Sequence, residues 1–254
     1  GNMLDVYTHK VEQLRNFLFT RGNHSGCVAI STNSSTNLPI PTNSADYIFV
    51  DPPFGGNLMY SELNFLWEAW LHIYTRNSTE AVVNKVQQKG LHEYQHLMEQ
   101  CLLEYYRVLK PGHWMTVEFH NSQNSIWASI QEAIIRVGFV IADVRTLDKQ
   151  QGSFKQYTST GTVKQDLVIS AYKPNDKLEE RFKLQAGTED GAWAFVRYHL
   201  SQLPVVVEKV ETASSRLAAG SSSYAIETIA ERQAYLLFDR MLAFHIQRGA
   251  TIPL

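Results

Sequence analysis

The stretch "ADYIFVDPPFGG", Ala45 to Gly56, decides the reading of this chain. Its first half is an apolar, β-branched and aromatic run of strand length. Its second half cannot continue that strand. Proline fixes its own φ and has no N–H to donate, and the residue before a proline is pushed out of the helical region. The strand must stop at Val50, and Asp51, Pro52, Pro53 and Phe54 must form a stiff loop at its carboxyl end. In open α/β sheets that end is where ligands sit. The loop offers a carboxylate and an outward-facing peptide carbonyl in one fixed geometry. Two such acceptors can take both hydrogens of a planar NH2 group, which favours a more tetrahedral nitrogen with a freer lone pair. Preorganised acceptors of this kind serve group transfer to an amine without a covalent intermediate. Phe54 supplies a ring against which an extruded base can lie, worth about 1–3 kcal/mol per stacked base.

Working outward, "MLDVYTHKVEQLRNFLFTR" has Val6, Val11, Leu14, Phe17 and Leu18 near helical spacing and reads as a helix ending by Gly22. "GCVAIS" reads as a short buried strand and "TNSSTNLPIPTNS" as loop. After the proline loop, "YSELNFLWEAWLHIY" is a helix with Leu63, Leu66, Trp67, Trp70 and Leu71 on one face, expected to be core. "HEYQHLMEQCLLEYYRVL" is a second helix, stopped by "KPG". "HWMTVEF" is a strand, "SIWASIQEAIIRV" a helix capped by Gly138, and "FVIADVRTL" and "DLVISAY" are strands on either side of the polar loop 148–165. The order implies an α/β sheet, mostly parallel with an antiparallel end. From about residue 175 the pattern turns helical, with "EERFKLQ", "GAWAFVRYHLSQL" and a long "AIETIAERQAYLLFDRMLAFHIQ". In the last helix Leu236, Leu237, Met241 and Phe244 read as core, His245 as a surface or packed histidine, and Glu231 with Arg232 as an exposed face. The expected divisions are 1–22, an amino-terminal helix; 23–174, the α/β core; and 175–254, a helical appendage.

The 254 residues are 44% hydrophobic, enough for one sizeable core. Lys and Arg number 23 against 25 Asp and Glu, a net charge of -2 that excludes a whole-chain basic signature, so any nucleic-acid contact must be local. Cys27 and Cys101 lie in apolar stretches without metal-ligand spacing and read as reduced core thiols, with no metal site implied. The chain has no apolar run of membrane-spanning length and no charged-then-apolar leader, so a cytoplasmic protein is expected.

The loop resembles motif IV of the amino methyltransferases, which move a methyl group from S-adenosylmethionine to an exocyclic amine. Its context, "SADYIFVDPPFGGNLMYSELNFLWEAWL", "EYYRVLKPGHWMTVEFHNS" and "KQDLVISAYKP", is similar to the core of site-specific bacterial DNA methyltransferases over roughly Cys27 to Pro174. The resemblance implies a Rossmann-like methyltransferase sheet, S-adenosylmethionine as cofactor, DNA as substrate, and a restriction or defence system as a partner. It implies that Asp51 and the Pro52 carbonyl hold the target amine, that Pro53 stiffens the loop, and that Phe54 stacks on the flipped base. Ser34, Ser35 and Asn37, with Asp51, fall where the family contacts its cofactor, although the acid common at the adenine-contacting position is absent. An aspartate opening the motif leans towards adenine N6 over cytosine N4.

Asn57 and Tyr60 follow the loop and are candidates for holding the base, Tyr60 being equally a packed side chain. His120 and Asn121, just past "MTVEF", are candidates for lining the site and equally ordinary polar loop residues. Lys155, with Lys149, Lys164, Phe154 and Tyr157, forms either a nucleic-acid contact or a solvated hairpin loop. The family's glycine-rich cofactor loop has no counterpart: "RGNHSG" and "LAAGSSS" have glycines but no preceding strand at the right spacing. With ends that read as cuts, an internal fragment with an incomplete sheet, or a permuted protein, is expected. Two other readings stand beside DNA methylation: a ribosomal RNA guanine-N2 methyltransferase, and a non-catalytic nucleic-acid-binding piece.

Overall fold

The computed structural model describes residues 3–20, 27–120, 124–147, 166–204, 206–208, 226–228 and 230–253. The chain divides into two compact units, Gly1–Asn33 and Ser34–Leu254. The first contains helix α1, Met3–Thr20, as its spacing predicts. "GCVAIS" is not a buried strand: its described residues form no regular element, and Val28 and Ile30 are 84% and 93% exposed. Its composition suits a strand, but a strand also needs a neighbour to pair with, and none pairs here among the described residues. Cys27 is exposed rather than core. Cys101, in the second unit, is half-buried, and that burial pushes its thiol up to about 11.

The second unit is built on a four-stranded sheet. Strand β1 spans Ala45–Val50, helix α2 Tyr60–Leu71, α3 Leu91–Val108, β2 Leu109–Phe119, α4 Asn124–Val137, β3 Val140–Leu147 and β4 Asp166–Tyr172. The spatial order is β1-β2-β4-β3. The sheet starts parallel, with Val50 opposite Val117, and ends antiparallel, as the order of elements implies. The Lys110-Pro111-Gly112 turn lies within β2, so α3 already ends at Val108.

The alternation of β2 assigns its faces. Met115, Val117 and Phe119 point to one side, where Met98 and Leu102 of α3 and Ile130 and Ile134 of α4 complete a buried cluster. Tyr172, Val140 and Ala142 point to the other side. They meet α5 (Asp176–Gln185), α6 (Glu189–Gln202) and α7 (Ala234–Gln247) through Phe182, Phe195 and Phe244. The last helix is shorter than expected. Ile226–Thr228 pairs as a strand with Val206–Glu208, and Ala230–Arg232 is a separate 3-10 turn. Glu231 and Arg232 are not an exposed face: Glu231 is buried beside Arg240, and the Arg232 guanidinium donates to the carbonyls of Leu200 and Leu203. Met241 and Phe244 are core as expected, and His245 is packed against Phe182.

α2 departs most from its expected role. Leu63, Leu66, Trp67, Trp70 and Leu71 are all exposed, Trp70 by 81%, and Ser61 is the buried residue of the helix. Periodicity put them on one face, but no described element packs on that face. Among the described residues, no helix is long and apolar enough to cross a membrane.

Candidate active site

Because β1 and β2 run parallel and in register, their carboxyl ends share one rim of the sheet. The loop Asp51–Phe54 leaves that rim from β1, and His120 leaves it from β2. The two meet at Phe54, whose ring stands edge-on to Phe119 with centroids 5.2 Å apart and lies 6.2 Å from the His120 ring. Phe54 is half-buried and packs against the core cluster. Asp51 is exposed and Pro52 buried.

The loop's carbonyls have distinct fates. The Pro53 carbonyl accepts from the Tyr94 hydroxyl at 2.7 Å, and the Gly55 carbonyl accepts from Val83 N–H at 3.2 Å. The Pro52 carbonyl accepts no hydrogen bond among the described residues. Gly55 has φ +66°, a left-handed value that glycine adopts without strain, and it turns the chain towards α2. A Cβ on Gly56 would stand 3.2 Å from the Val83 carbonyl, a tight contact that a side chain here could make only if the neighbouring backbone gave by a few tenths of an ångström.

A polar strut between residues 77 and 90 supports the far side of the loop. The Glu80 carboxylate accepts from Ser61 N–H, the Ser61 hydroxyl and Gln87, at 3.0, 2.8 and 3.0 Å, which anchors the first turn of α2. Burial pulls the Glu80 carboxyl upward, but these donors outweigh it and hold the group below the ordinary carboxylate range. Lys89 is buried and donates to the carbonyls of Asn77 and Glu80, with burial lowering its pKa against the attraction of Glu80. Asn84 pairs with Lys89 as an antiparallel bridge and reaches the Met59 sulfur at 3.0 Å.

Of the residues singled out from sequence, Asp51 to Phe54, Tyr60 and His120 come together. Tyr60 is 37% exposed, and partial burial and then the charge of Asp51 raise its phenol. Asn57 is half-buried just past the loop. Ser34, Ser35 and Asn37 do not join this group. Ser35 bonds Tyr105, Asn37 N–H donates to the Ser34 carbonyl, and Leu38 N–H donates to Glu104. Tyr105 lies about 16 Å along α3 from Tyr94, at the helical rise per residue. The Glu104 carboxyl, held by Arg107 and Leu38 N–H, is lowered to about 2. Asn121 and Lys155, with Lys149, Phe154, Tyr157 and Lys164, lie outside the described residues. The reading from sequence missed Tyr94, Val83, Glu80, Asn84 and Lys89. None carries a motif, and Tyr94, spaced i, i+4, i+8 with Met98 and Leu102, reads simply as core.

An exposed acid, a proline carbonyl that accepts nothing from the described residues and a half-buried ring thus meet at the carboxyl rim of an α/β sheet. The sequence matches the family model for DNA methylases of the N6 and N4 type over residues 45–216, more than half of the chain, and the chain belongs to that family. No curated protein matches it in sequence. Solved structures resemble it more distantly. A protein from Thermus thermophilus, provisionally assigned as a DNA modification methylase, is 13% identical with a TM-score of 0.33, covering 62% of this chain and 58% of its own. That protein has also been solved with S-adenosylmethionine bound. A methyltransferase from Methanosarcina mazei dependent on the same cofactor is 11% identical with a TM-score of 0.34, covering 61% of this chain and 71% of its own. A 16S rRNA adenine methyltransferase from Catenulisporales acidiphilia is 14% identical with a TM-score of 0.31, covering 56% and 61%. The chain spans about three fifths of the length of the Thermus structures it matches.

The family's cofactor needs a cradle for its amino-acid end. Among the described residues, the glycines between a strand and the following helix are Gly55 and Gly56, and Gly56 is closed against Val83. The described residues therefore do not fit that end of the cofactor.

Proposed function

We propose that this chain supplies the target-base side of a DNA methyltransferase that modifies an exocyclic amine, with adenine N6 as the base position and S-adenosylmethionine as the methyl donor. The observation that carries the reading is the division of labour among the loop carbonyls. Pro53 and Gly55 are engaged by the protein, while Pro52, beside the Asp51 carboxylate, accepts nothing from the described residues. A carboxylate and a carbonyl from adjacent residues can accept the two hydrogens of one NH2 group, which binds the amine, orients it and frees its lone pair for attack. Phe54, half-buried with its ring perpendicular to that of Phe119, is the ring against which a base turned out of the duplex would lie. The cofactor would supply the methyl group. The acid opening the motif supports adenine over cytosine through family likeness alone.

The test uses the full-length protein with undermethylated plasmid DNA and radiolabelled S-adenosylmethionine, followed by digestion to nucleosides and mass analysis. N6-methyladenine is expected, and Asp51→Ala should reduce its formation at least about 100-fold, the scale of losing a preorganised electrostatic partner. Label in N4-methylcytosine would move the base assignment. Label in ribosomal RNA but not in DNA, or an unaffected Asp51→Ala protein, would overturn the reading.

A further inference from the structure

We propose that Tyr94 is the positioning residue of the amine loop: its single hydroxyl clamps both sides of Phe54, holding the Pro53 carbonyl and the Gly55 N–H. The inference rests on the reading above of Asp51–Phe54 as the amine-binding loop. Tyr94 lies in the first turn of α3 and is wholly buried. Its hydroxyl donates to the Pro53 carbonyl at 2.7 Å, and the Gly55 N–H donates back to the same oxygen. A phenol has one hydrogen to give and lone pairs to accept, so both bonds form together. Burial raises the phenol's pKa, so the donor hydrogen stays in place throughout the working pH range.

The clamp acts on the one backbone freedom the prolines leave. The rings of Pro52 and Pro53 fix φ, and peptide planarity fixes ω, so ψ is the soft angle at each residue. The ψ of Pro53 aims its carbonyl, and the Tyr94 hydroxyl holds that aim. The same bond occupies an acceptor that would otherwise compete with Pro52 for the substrate amine. On the far side of Phe54, the Gly55 N–H is held by Tyr94 and the Gly55 carbonyl by Val83, so the ring hangs between two fixed points. Small displacements of reacting groups have large effects on rate, about 100-fold for 1 Å. A buried tyrosine that merely satisfies its own hydroxyl would carry no such consequence.

Tyr94→Phe keeps the ring and removes the clamp. In the full-length protein, methylation of undermethylated plasmid DNA should show kcat lowered at least about tenfold per folded molecule, with KM for DNA within about twofold of wild type. Hydrogen exchange at the Gly55 amide, followed by NMR, should quicken at least about tenfold. Met98→Ala, one turn along the same buried face, provides the matched destabilising control and should leave kcat per folded molecule unchanged. An equal loss of kcat in Met98→Ala would mark a general packing effect and sink the proposal. So would a Tyr94→Phe protein with wild-type kcat, or with unchanged Gly55 exchange, the latter readable even without turnover. Asp51→Asn separates the two claims. If it methylates normally, the amine-loop reading fails; if it is inactive while Tyr94→Phe is not, only the clamp fails.

Discussion

At the β3–β4 end of the sheet both faces are covered, by α3 and α4 on one side and α5, α6 and α7 on the other. At the β1–α2 end one face is bare. Ile48 and Val50 join the α3–α4 core, but Tyr47 and Phe49 on the opposite face are 55% and 58% exposed, and α2 turns its leucines and tryptophans outward. A helix apolar on this scale is normally buried, and a contiguous apolar surface is characteristic of a contact surface. The proline loop Asp51–Phe54 sits between the two regimes. Its backbone is held from the covered side, through Tyr94, Val83 and Phe119, while Asp51 faces outward. The loop can therefore be ordered whether or not α2 is covered.

The largest effect that tests this contrast is at Phe119. It is fully buried, with Phe54 and Trp127 both edge-on to it at 5.2 Å. Phe119→Ala should cost about 3–5 kcal/mol by chemical denaturation, the range for truncating a buried aromatic. A cost below about 1 kcal/mol would mean that the rim under Phe54 is not packed, and the loop would lose its floor.

The helical layer over the second face carries a pH dependence of its own, centred on a buried histidine. His199 is wholly buried, with Nδ1 2.8 Å from the Tyr172 hydroxyl and, among the described residues, no partner for Nε2. Burial, and then the charge of Arg240, lower its pKa to about 4. The unfolded histidine titrates near 6.5, so between these values the unfolded chain binds a proton that the folded chain refuses. Stability is therefore full above about pH 6.5 and falls as pH drops towards 4, by about 3 kcal/mol at most. Urea denaturation across that window should show the slope, and His199→Gln should flatten it. An unchanged slope in the variant would assign the effect to other groups, such as the Glu104 carboxyl, whose lowered pKa also adds slope near the acid end of the window.

How much of this was legible in the sequence depends on the distance over which each feature is decided. The proline loop was legible because its constraint is local: two ring-fixed φ angles end a strand whatever surrounds them. "ADYIFV" and "DLVISAY" were legible as apolar runs, and both are strands. "GCVAIS" has the same character but has no strand partner among the described residues. The strand Ile226–Thr228 was hidden for the converse reason, because its partner Val206–Glu208 lies in an earlier segment while its own residues read as the start of a helix. The α2 tryptophans show a further limit, since periodicity assigns a face but not what lies against it. Tyr94 is the clearest case at the site. Its spacing correctly marks it as core, while the partner of its hydroxyl is 41 residues away in the chain.

The smallest expected effect is the sharpest test of the bare end. Trp67 and Trp70 are among the largest side chains in the chain, and by size alone their removal should rival the loss of Phe119. Exposure predicts otherwise. A side chain that stays in water on folding contributes little burial energy, and tryptophan and serine differ little in helix propensity. Trp67→Ser and Trp70→Ser together should change unfolding free energy by no more than about 0.5 kcal/mol. The variant should also keep the far-ultraviolet circular dichroism of the wild type. A loss above about 1.5 kcal/mol would show that α2 is covered in solution, and the contrast between the two ends would then lie only in which residues do the covering. A null result leaves the tryptophans with no role in holding this chain together.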